Sequence, residues 1–238
     1  MSIDLGLLVL TAASIGFLHT LLGPDHYLPF VAMSAARGWT TRRTLLVTAL
    51  CGMGHVLGSV VIGTIGIGVG VSLYRLEWLE GARGDTAAWL LTGFGLAYMA
   101  WGLKKAWRSR PHTHQHVHGD GTLHRHEHGH EGGHLHPHVD ALKGRSITPW
   151  ALFVIFVLGP CEPLIPVLMY PAFQHSIWGT VAVVMAFGAA TLATMLVVVY
   201  LAIRGLERLS LASAERYSHA LAGAALSFCG LGMVFLGL

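Results

Sequence analysis

Long apolar runs constrain the fold of this chain more than any other feature of its sequence. A helix needs about 20 predominantly apolar residues to cross a bilayer, and several stretches approach or exceed that length. We predict six spans at Leu5–Ala35, Leu45–Leu73, Ala87–Leu103, Trp150–Ala172, Trp178–Ile203 and Ala220–Leu238. The first is too long for one straight span, and Gly23-Pro24 interrupts it. We therefore expect an all-α membrane protein with six transmembrane helices.

The composition supports this class and argues against others. Of 238 residues, 53% are apolar and only 11% are charged, whereas a soluble domain carries roughly 25% charged residues. A net charge of +3 is too small to indicate nucleic-acid binding. The sequence contains no Walker motif or other nucleotide-binding fingerprint. We expect neither an enzyme nor a protein with a cofactor.

The basic residues predict the orientation in the membrane. With six spans, the loops after spans one, three and five share one face, and the opposite face holds only Arg75 and Arg83 out of fifteen Lys and Arg. Lys and Arg are concentrated in cytoplasmic loops. We therefore expect a multi-pass protein of the inner (cytoplasmic) membrane, with both termini outside and residues 108–146 in the cytoplasm.

Two Gly-Pro boxes indicate an internal repeat. The segment 23–33 aligns without gaps with the segment 159–169, with Gly, Pro, Leu, Val and Met in common. The spacing from Gly23 to Gly159 is therefore the repeat offset. Each unit contains three spans, which is an odd number. The second unit therefore enters the membrane from the opposite side, and its topology is inverted relative to the first. We expect a 3+3 inverted repeat of residues 1–107 and 147–238, with broken first and fourth helices.

The helix breaks at the two Gly-Pro boxes lead to two further predictions. In transporters built from inverted repeats, substrates bind near the midplane at broken helices in corresponding positions of the two halves. We also expect each glycine of the boxes to end its half-helix with left-handed dihedral angles. The Gly-Pro boxes are therefore the predicted position of a substrate site.

Ionisable residues within the predicted spans are concentrated at these breaks. Asp25 and Glu162 are the only carboxylates placed well inside the spans, and no Lys or Arg is placed there to neutralise them. Ionisable residues in the membrane are costly and usually mark an ion path. Imidazole, carboxylate and thiolate groups together suit a divalent transition metal, whereas calcium and magnesium prefer oxygen ligands. The candidate metal ligands are His19, Asp25, His26, His55, Cys161 and Glu162.

Structural roles are the alternatives for these residues. A lone intramembrane histidine such as His55 can form a hydrogen bond between two helices, and a buried cysteine such as Cys161 commonly acts as a small apolar filler. The Gly-Pro breaks can likewise be packing kinks.

The predicted cytoplasmic loop carries a histidine-rich tract. Its histidines are His112, His114, His116, His118, His124, His126, His128, His130, His134, His136 and His138. Such a composition cannot pack a core, so we expect residues 108–146 to be disordered without a ligand. Many tethered imidazoles form a weak, multivalent trap for nickel, cobalt, zinc or copper ions, and a pH-sensing tract is the alternative. We expect the loop to tune transport without forming the path through the membrane.

The first box resembles a known family. His19-Thr20-Leu21-Leu22-Gly23-Pro24-Asp25-His26 resembles the His…Asp-His motif in the first helices of nickel/cobalt permeases, with one additional residue between His19 and Asp25. Together with the histidine-rich loop, nearly the whole chain resembles the NicO and UreH-type urease-accessory membrane proteins. This resemblance implies that the transported ion is nickel or cobalt.

The second box points to a different chemistry. Gly-Pro-Cys161-Glu-Pro resembles the corresponding segment of the CcdA/DsbD thiol-disulfide electron carriers. The chain as a whole resembles the wider group of CcdA, LysE and TauE families more distantly. Those carriers use a cysteine beside a proline in each repeat. Here the repeat mate of Cys161 is Asp25, so the symmetric dithiol is missing. A thiol-disulfide carrier is therefore the alternative function.

The sequence as a whole favours a secondary-type transporter of divalent nickel or cobalt. We favour efflux over uptake, because a low-affinity histidine trap that fills at high metal concentration suits detoxification. The expected partners are the lipid bilayer, transition-metal ions that include zinc and copper as further candidates, and a cytoplasmic metallochaperone.

Overall fold

Helices form most of the described part of this chain. The computed structural model describes residues 3–108, 112–117, 123–128, 147–174, 176–208 and 215–236. Within those ranges the helices are α1 (Ile3–Leu22), α2 (Leu28–Arg37), α3 (Thr41–Gly68), α4 (Leu73–Arg108), α5 (Ile147–Leu158), α6 (Leu164–Phe173), α7 (Ile177–Leu206) and α8 (Ser218–Leu236). The predicted helical fold class is confirmed.

Four helices, α1, α3, α7 and α8, are long and apolar enough to cross a membrane. Their outward faces expose large apolar side chains such as Leu57, Met185 and Phe228. A water-soluble protein rarely exposes apolar surface on this scale, whereas lipid tails are an apolar solvent for it. The chain is a multi-pass membrane protein.

Both Gly-Pro boxes break a helix, as the sequence predicted. At the first box α1 ends, a 3-10 turn covers Pro24–His26, and α2 begins at Leu28. At the second box α5 ends at Leu158 and α6 begins at Leu164. Shifting the first half by the repeat offset superposes several helix ends. The last residue of α1 falls on the last residue of α5, and the first and last residues of α2 fall on those of α6. The first residue of α3 falls on the first residue of α7. The helix boundaries therefore recur with the sequence repeat.

Helix α4 departs most from the prediction. The apolar pattern predicted a span at Ala87–Leu103, but the helix runs from Leu73 to Arg108. Its additional N-terminal turns carry Glu80, which is fully buried, and Arg83, which forms an ion pair with Glu80. Sequence reasoning did not consider this pair, because both residues precede the predicted span, and in the helical body their opposite charges neutralise each other.

Close packing and a polar network fix the positions of α2, α4 and α8. Gly95 of α4 packs against the helical turn of α8 that contains Gly223 and Ser227. Such small residues let the two backbones approach closely. The C-terminal end of α2 is tied to this helix pair, because Arg37 Nε donates to Tyr98 Oη at 3.1 Å. Tyr98 Oη in turn lies 2.8 Å from His219 Nδ1 on α8.

Two segments of the histidine-rich loop form an antiparallel pair of strands, β1 (His112–Val117) and β2 (Leu123–His128), with His114 opposite His126. The sequence predicted no regular structure here, although alternation of residue types with a period of two is a strand pattern. The rest of residues 108–146 lies largely outside the described part of the chain, including His118, His130, His134, His136 and His138.

Candidate metal centre

The first break places two histidines next to each other. His19 lies in the last turn of α1, where its carbonyl accepts a hydrogen bond from Gly23 N at 3.0 Å. Pro24 has no N–H to continue the helical ladder, and the chain forms a 3-10 turn in which His26 N donates to Gly23 O at 3.1 Å. Pro29 is tolerated in the first turn of α2. The short turn returns His26 to the side of His19, with ring centroids 4.7 Å apart.

Gly23 is required at this break for a different reason from the one predicted. Its φ of −89° and ψ of 98° lie in the extended region, so the expected left-handed conformation is wrong. A Cβ at this position would lie 2.7 Å from His26 Nδ1 and 2.8 Å from Asp25 Oδ1. Glycine therefore leaves room for these two side chains.

Helix α3 completes a cluster of three histidines. The rings of His26 and His55 are 5.1 Å apart, and both side chains are almost fully buried, while His19 is half-buried. One ligand nitrogen from each histidine can be chosen so that all three lie within 4.8 Å of one another. Metal–nitrogen distances of about 2.1 Å limit two ligands of one ion to a separation of about 4.2 Å. Small side-chain rotations would therefore bring the three nitrogens to one ion.

Hydrogen bonds orient two of these imidazoles. His26 Nδ1 lies 3.2 Å from both Asp25 Oδ1 and Gly23 O. A carbonyl and a carboxylate only accept, so Nδ1 of a neutral His26 carries the proton and Nε2 keeps its lone pair. His55 is hydrogen-bonded to the backbone of Phe156. Such partners on the second nitrogen typically orient metal-binding histidines.

The Nε2 atoms of the cluster have no hydrogen-bond partner within the described part of the chain. The Nε2 atoms of His19, His26 and His55 are each buried without a hydrogen bond. Buried polar atoms are nearly always satisfied, and an exception calls for an explanation such as an ion or water. Three adjacent exceptions on imidazoles, which are metal ligands in their neutral form, fit a cationic ligand.

A cavity of about 480 Å³ joins the cluster to the second break. The three histidines and Asp25 line one part of it, and Gly159, Pro160 and Glu162 line another. Gly159 lies directly against the ring of His55, since a Cβ there would be 3.2 Å from His55 Nδ1. The two breaks therefore border one cavity, as the repeat predicted.

Of the other predicted ligands, Asp25 contacts the histidine cluster, whereas Glu162 and Cys161 are not part of it. Glu162 lines the same cavity but is exposed, so the expectation of a buried carboxylate is wrong. Cys161 is fully buried in an apolar cluster with Val56 and Phe187 and is absent from the described cavity lining. Asp25 contacts the cluster through His26.

Sequence reasoning missed a polar clamp on the second break, formed by Ser59, Glu80 and Arg83. Ser59 Oγ donates to Glu80 Oε2 at 2.6 Å, and Cys161 N donates to the same carboxylate oxygen at 3.2 Å. Arg83 ion-pairs with Glu80 and donates to Val157 O at 2.8 Å. The i,i+3 spacing of Glu80 and Arg83 is the signal that could have indicated a pair.

Comparison with known protein families, curated proteins and solved structures finds no match to this chain.

Proposed function

We propose that this protein carries a divalent transition-metal cation across the membrane through the cluster of His19, His26 and His55. The observation that carries the proposal is the set of three adjacent, buried and unpartnered Nε2 atoms on a cavity between two broken helices. Asp25 supplies a negative charge next to His26. Neutral imidazoles are poor ligands for calcium or magnesium and good ligands for nickel, cobalt, copper and zinc. The resemblance of the first box makes nickel and cobalt the first choices.

The proposed architecture is six spans in a 3+3 inverted repeat, with broken spans α1–α2 and α5–α6. The recurrence of helix boundaries at the repeat offset supports it. The depth of the cluster agrees with this arrangement. His55 lies 14 residues after Thr41 and 13 before Gly68, which is about 21 Å and 20 Å from the ends of α3 at 1.5 Å per residue. An ion at the cluster would therefore sit near the midplane.

The proposed orientation places both termini outside and the histidine-rich loop in the cytoplasm, on the basis of the loop charges. Efflux remains the favoured direction. In this arrangement the loop collects metal in the cytoplasm or receives it from a metallochaperone, and it does not form the path.

Transport by the purified protein in liposomes tests the proposal. Uptake of Ni²⁺ and Co²⁺ should be saturable in wild-type protein and lost in His26→Ala and His55→Ala variants that remain monodisperse. Asp25→Asn is nearly isosteric and should also lose most of the rate. Thr11→Ala changes an exposed side chain of α1 that does not line the cavity, and it should retain transport. Wild-type rates in a folded His26→Ala, His55→Ala double variant would refute the proposal.

A cysteine variant separates transport from thiol-disulfide transfer. Cys51, Cys161 and Cys229 are all free thiols buried in apolar surroundings. Cys161→Ser keeps the size of the side chain and removes its redox chemistry, so a metal transporter should keep most of its rate. Loss of thiol transfer to a periplasmic partner on any single Cys→Ser change would establish the alternative.

A further inference from the structure

The cavity that holds the histidine cluster has two ends of different chemistry. The buried end is lined by nitrogen ligands, with His26 and His55 2% and 3% exposed. The other end is lined by two exposed carboxylates, Glu162 from the second break and Asp85 from α4. An ion that enters or leaves the buried end through this cavity passes the carboxylates.

The negative charge at the open end is not neutralised within the cavity. The described lining residues include no Lys or Arg. Arg83, which lies within one turn of both Glu80 and Asp85 on α4, is held by Glu80 and the carbonyls of Val157 and Gly159. Glu162 lies within electrostatic range of Asp85, Glu77 and Glu80. Like charges at close range repel each other, and a cation between Glu162 and Asp85 would relieve that repulsion.

Glycine at position 81 adds no side chain on the α4 side of Glu162. On α4, Gly81 faces this carboxylate, and a Cβ there would still lie 4.0 Å from Glu162 Oε1. The helix therefore presents only a hydrogen atom to this side of the carboxylate. A larger residue at position 81 would narrow the passage between α4 and the second break.

We propose that Glu162 and Asp85 form an outer oxygen-donor subsite, which holds a hydrated divalent cation at the mouth of the cavity. This inference rests on the proposed function, because the cation is the one exchanged with His19, His26 and His55. The histidines that line the same cavity and carry unpartnered, buried Nε2 atoms are the independent indication that a cation moves beyond the carboxylates. Carboxylates attract hydrated cations, whereas imidazoles bind the ion after it has lost water.

The subsite predicts a specific kinetic change. Clefts lined by one sign of charge raise association rates by about 10- to 1,000-fold, and the effect falls with ionic strength. In liposomes, Asp85→Asn, Glu162→Gln should lower kcat/KM for Co²⁺ about tenfold at low salt, with a much smaller change in kcat. Mg²⁺ prefers oxygen ligands, so it should compete with Co²⁺ in the wild type and compete less in the variant. Glu207→Gln removes an exposed carboxylate outside the cavity and should behave as wild type.

Three results would overturn the subsite. Unchanged kcat/KM and unchanged Mg²⁺ competition in the double variant, together with lost transport in His26→Ala, would refute it and leave the proposed function intact. A loss of salt dependence without any change in Mg²⁺ competition would indicate a diffuse field and no binding site. Wild-type transport by His26→Ala, His55→Ala would remove the proposed function and this subsite together.

Discussion

The proposed function depends on three imidazole nitrogen atoms in and near the first break. Burying a polar atom without a partner costs about 1–3 kcal/mol, and the Nε2 atoms of His19, His26 and His55 all lie in that state. Hydrophobic packing alone gives no reason to keep three such atoms together. A ligand shared by the three nitrogens would offset the cost for all of them at once.

Gly23→Ala should weaken transport because it adds a methyl group where Asp25 and His26 need room. The new Cβ would lie 2.7 Å from His26 Nδ1. Overpacking costs about 1–3 kcal/mol, which corresponds to a roughly 5- to 150-fold loss in kcat/KM for Co²⁺ if it falls on metal binding. Gly6→Ala, in open space on α1, is the matched control and should transport normally. Equal rates for both variants would show that the first break does not position the ligands.

At the scale of helices, the two breaks are supported differently. Backbone hydrogen bonds close both breaks, and the first break has the Asp25–His26 contact in addition. The second break is held from outside by α3 and α4, through Ser59, Glu80 and Arg83. The second break therefore provides a fixed wall opposite the histidine cluster.

Removal of one partner of the buried Glu80–Arg83 pair should destabilise the protein strongly. Breaking a buried ion pair costs about 3–5 kcal/mol, because one charge is left uncompensated. Arg83→Met and Glu80→Gln should each lower the thermal midpoint in detergent markedly, and the double variant should lose less than the sum. The exposed i,i+3 pair Arg204–Glu207 is the control, and its loss should cost about 0–1 kcal/mol. Equal effects at both pairs would contradict the role of the clamp.

Deletion of residues 111–138 should leave transport in place. Strands β1 and β2 lie outside the predicted spans, so this tract cannot carry an ion through hydrocarbon. We expect a changed dependence of the rate on Ni²⁺ and Co²⁺ concentration, measured in liposomes, with part of the maximal rate retained. Complete loss of transport in a properly inserted deletion variant would show that the loop belongs to the path.

The sequence predicted the helices well where apolar length and Gly-Pro boxes determine them, and less well where paired charges do. Helix α4 extends beyond its apolar stretch because Glu80 and Arg83 neutralise each other, and a pattern of hydropathy cannot reveal such a pairing. The sequence placed His19, His26 and His55 in one candidate site on chemical grounds, because imidazoles and a carboxylate next to a helix break suit a transition metal. It did not place Glu162 at the exposed mouth, and it left Cys161 open between a metal ligand and an apolar filler, because side-chain direction at a break depends on tertiary packing.

At the scale of the whole molecule, the two halves share a backbone pattern and differ in chemistry. The repeat offset that carries Gly23 onto Gly159 also carries His26 onto Glu162 and His55 onto Thr191. The first half supplies imidazoles at these positions, and the second half supplies an exposed carboxylate and a hydroxyl. Such an asymmetry would let one half bind the ion and the other form the wall and the mouth of its cavity.

The inverted repeat can be tested by topology. Four helices qualify as spans by length and composition, so the six-span arrangement depends on whether α4 and the α5–α6 pair also cross. Reporters inserted at residues 69–72, after His128, at residues 174–176 and after Leu238 isolate each crossing. If α4 crosses, the first two sites lie on opposite sides, and if α5–α6 crosses, the second and third do. We expect alkaline phosphatase activity at the first, third and fourth sites, and fluorescence of a green fluorescent protein only after His128, because the positive loops favour the cytoplasm. The same compartment for the sites after His128 and Leu238 would contradict the inverted repeat and the shared midplane site that depends on it.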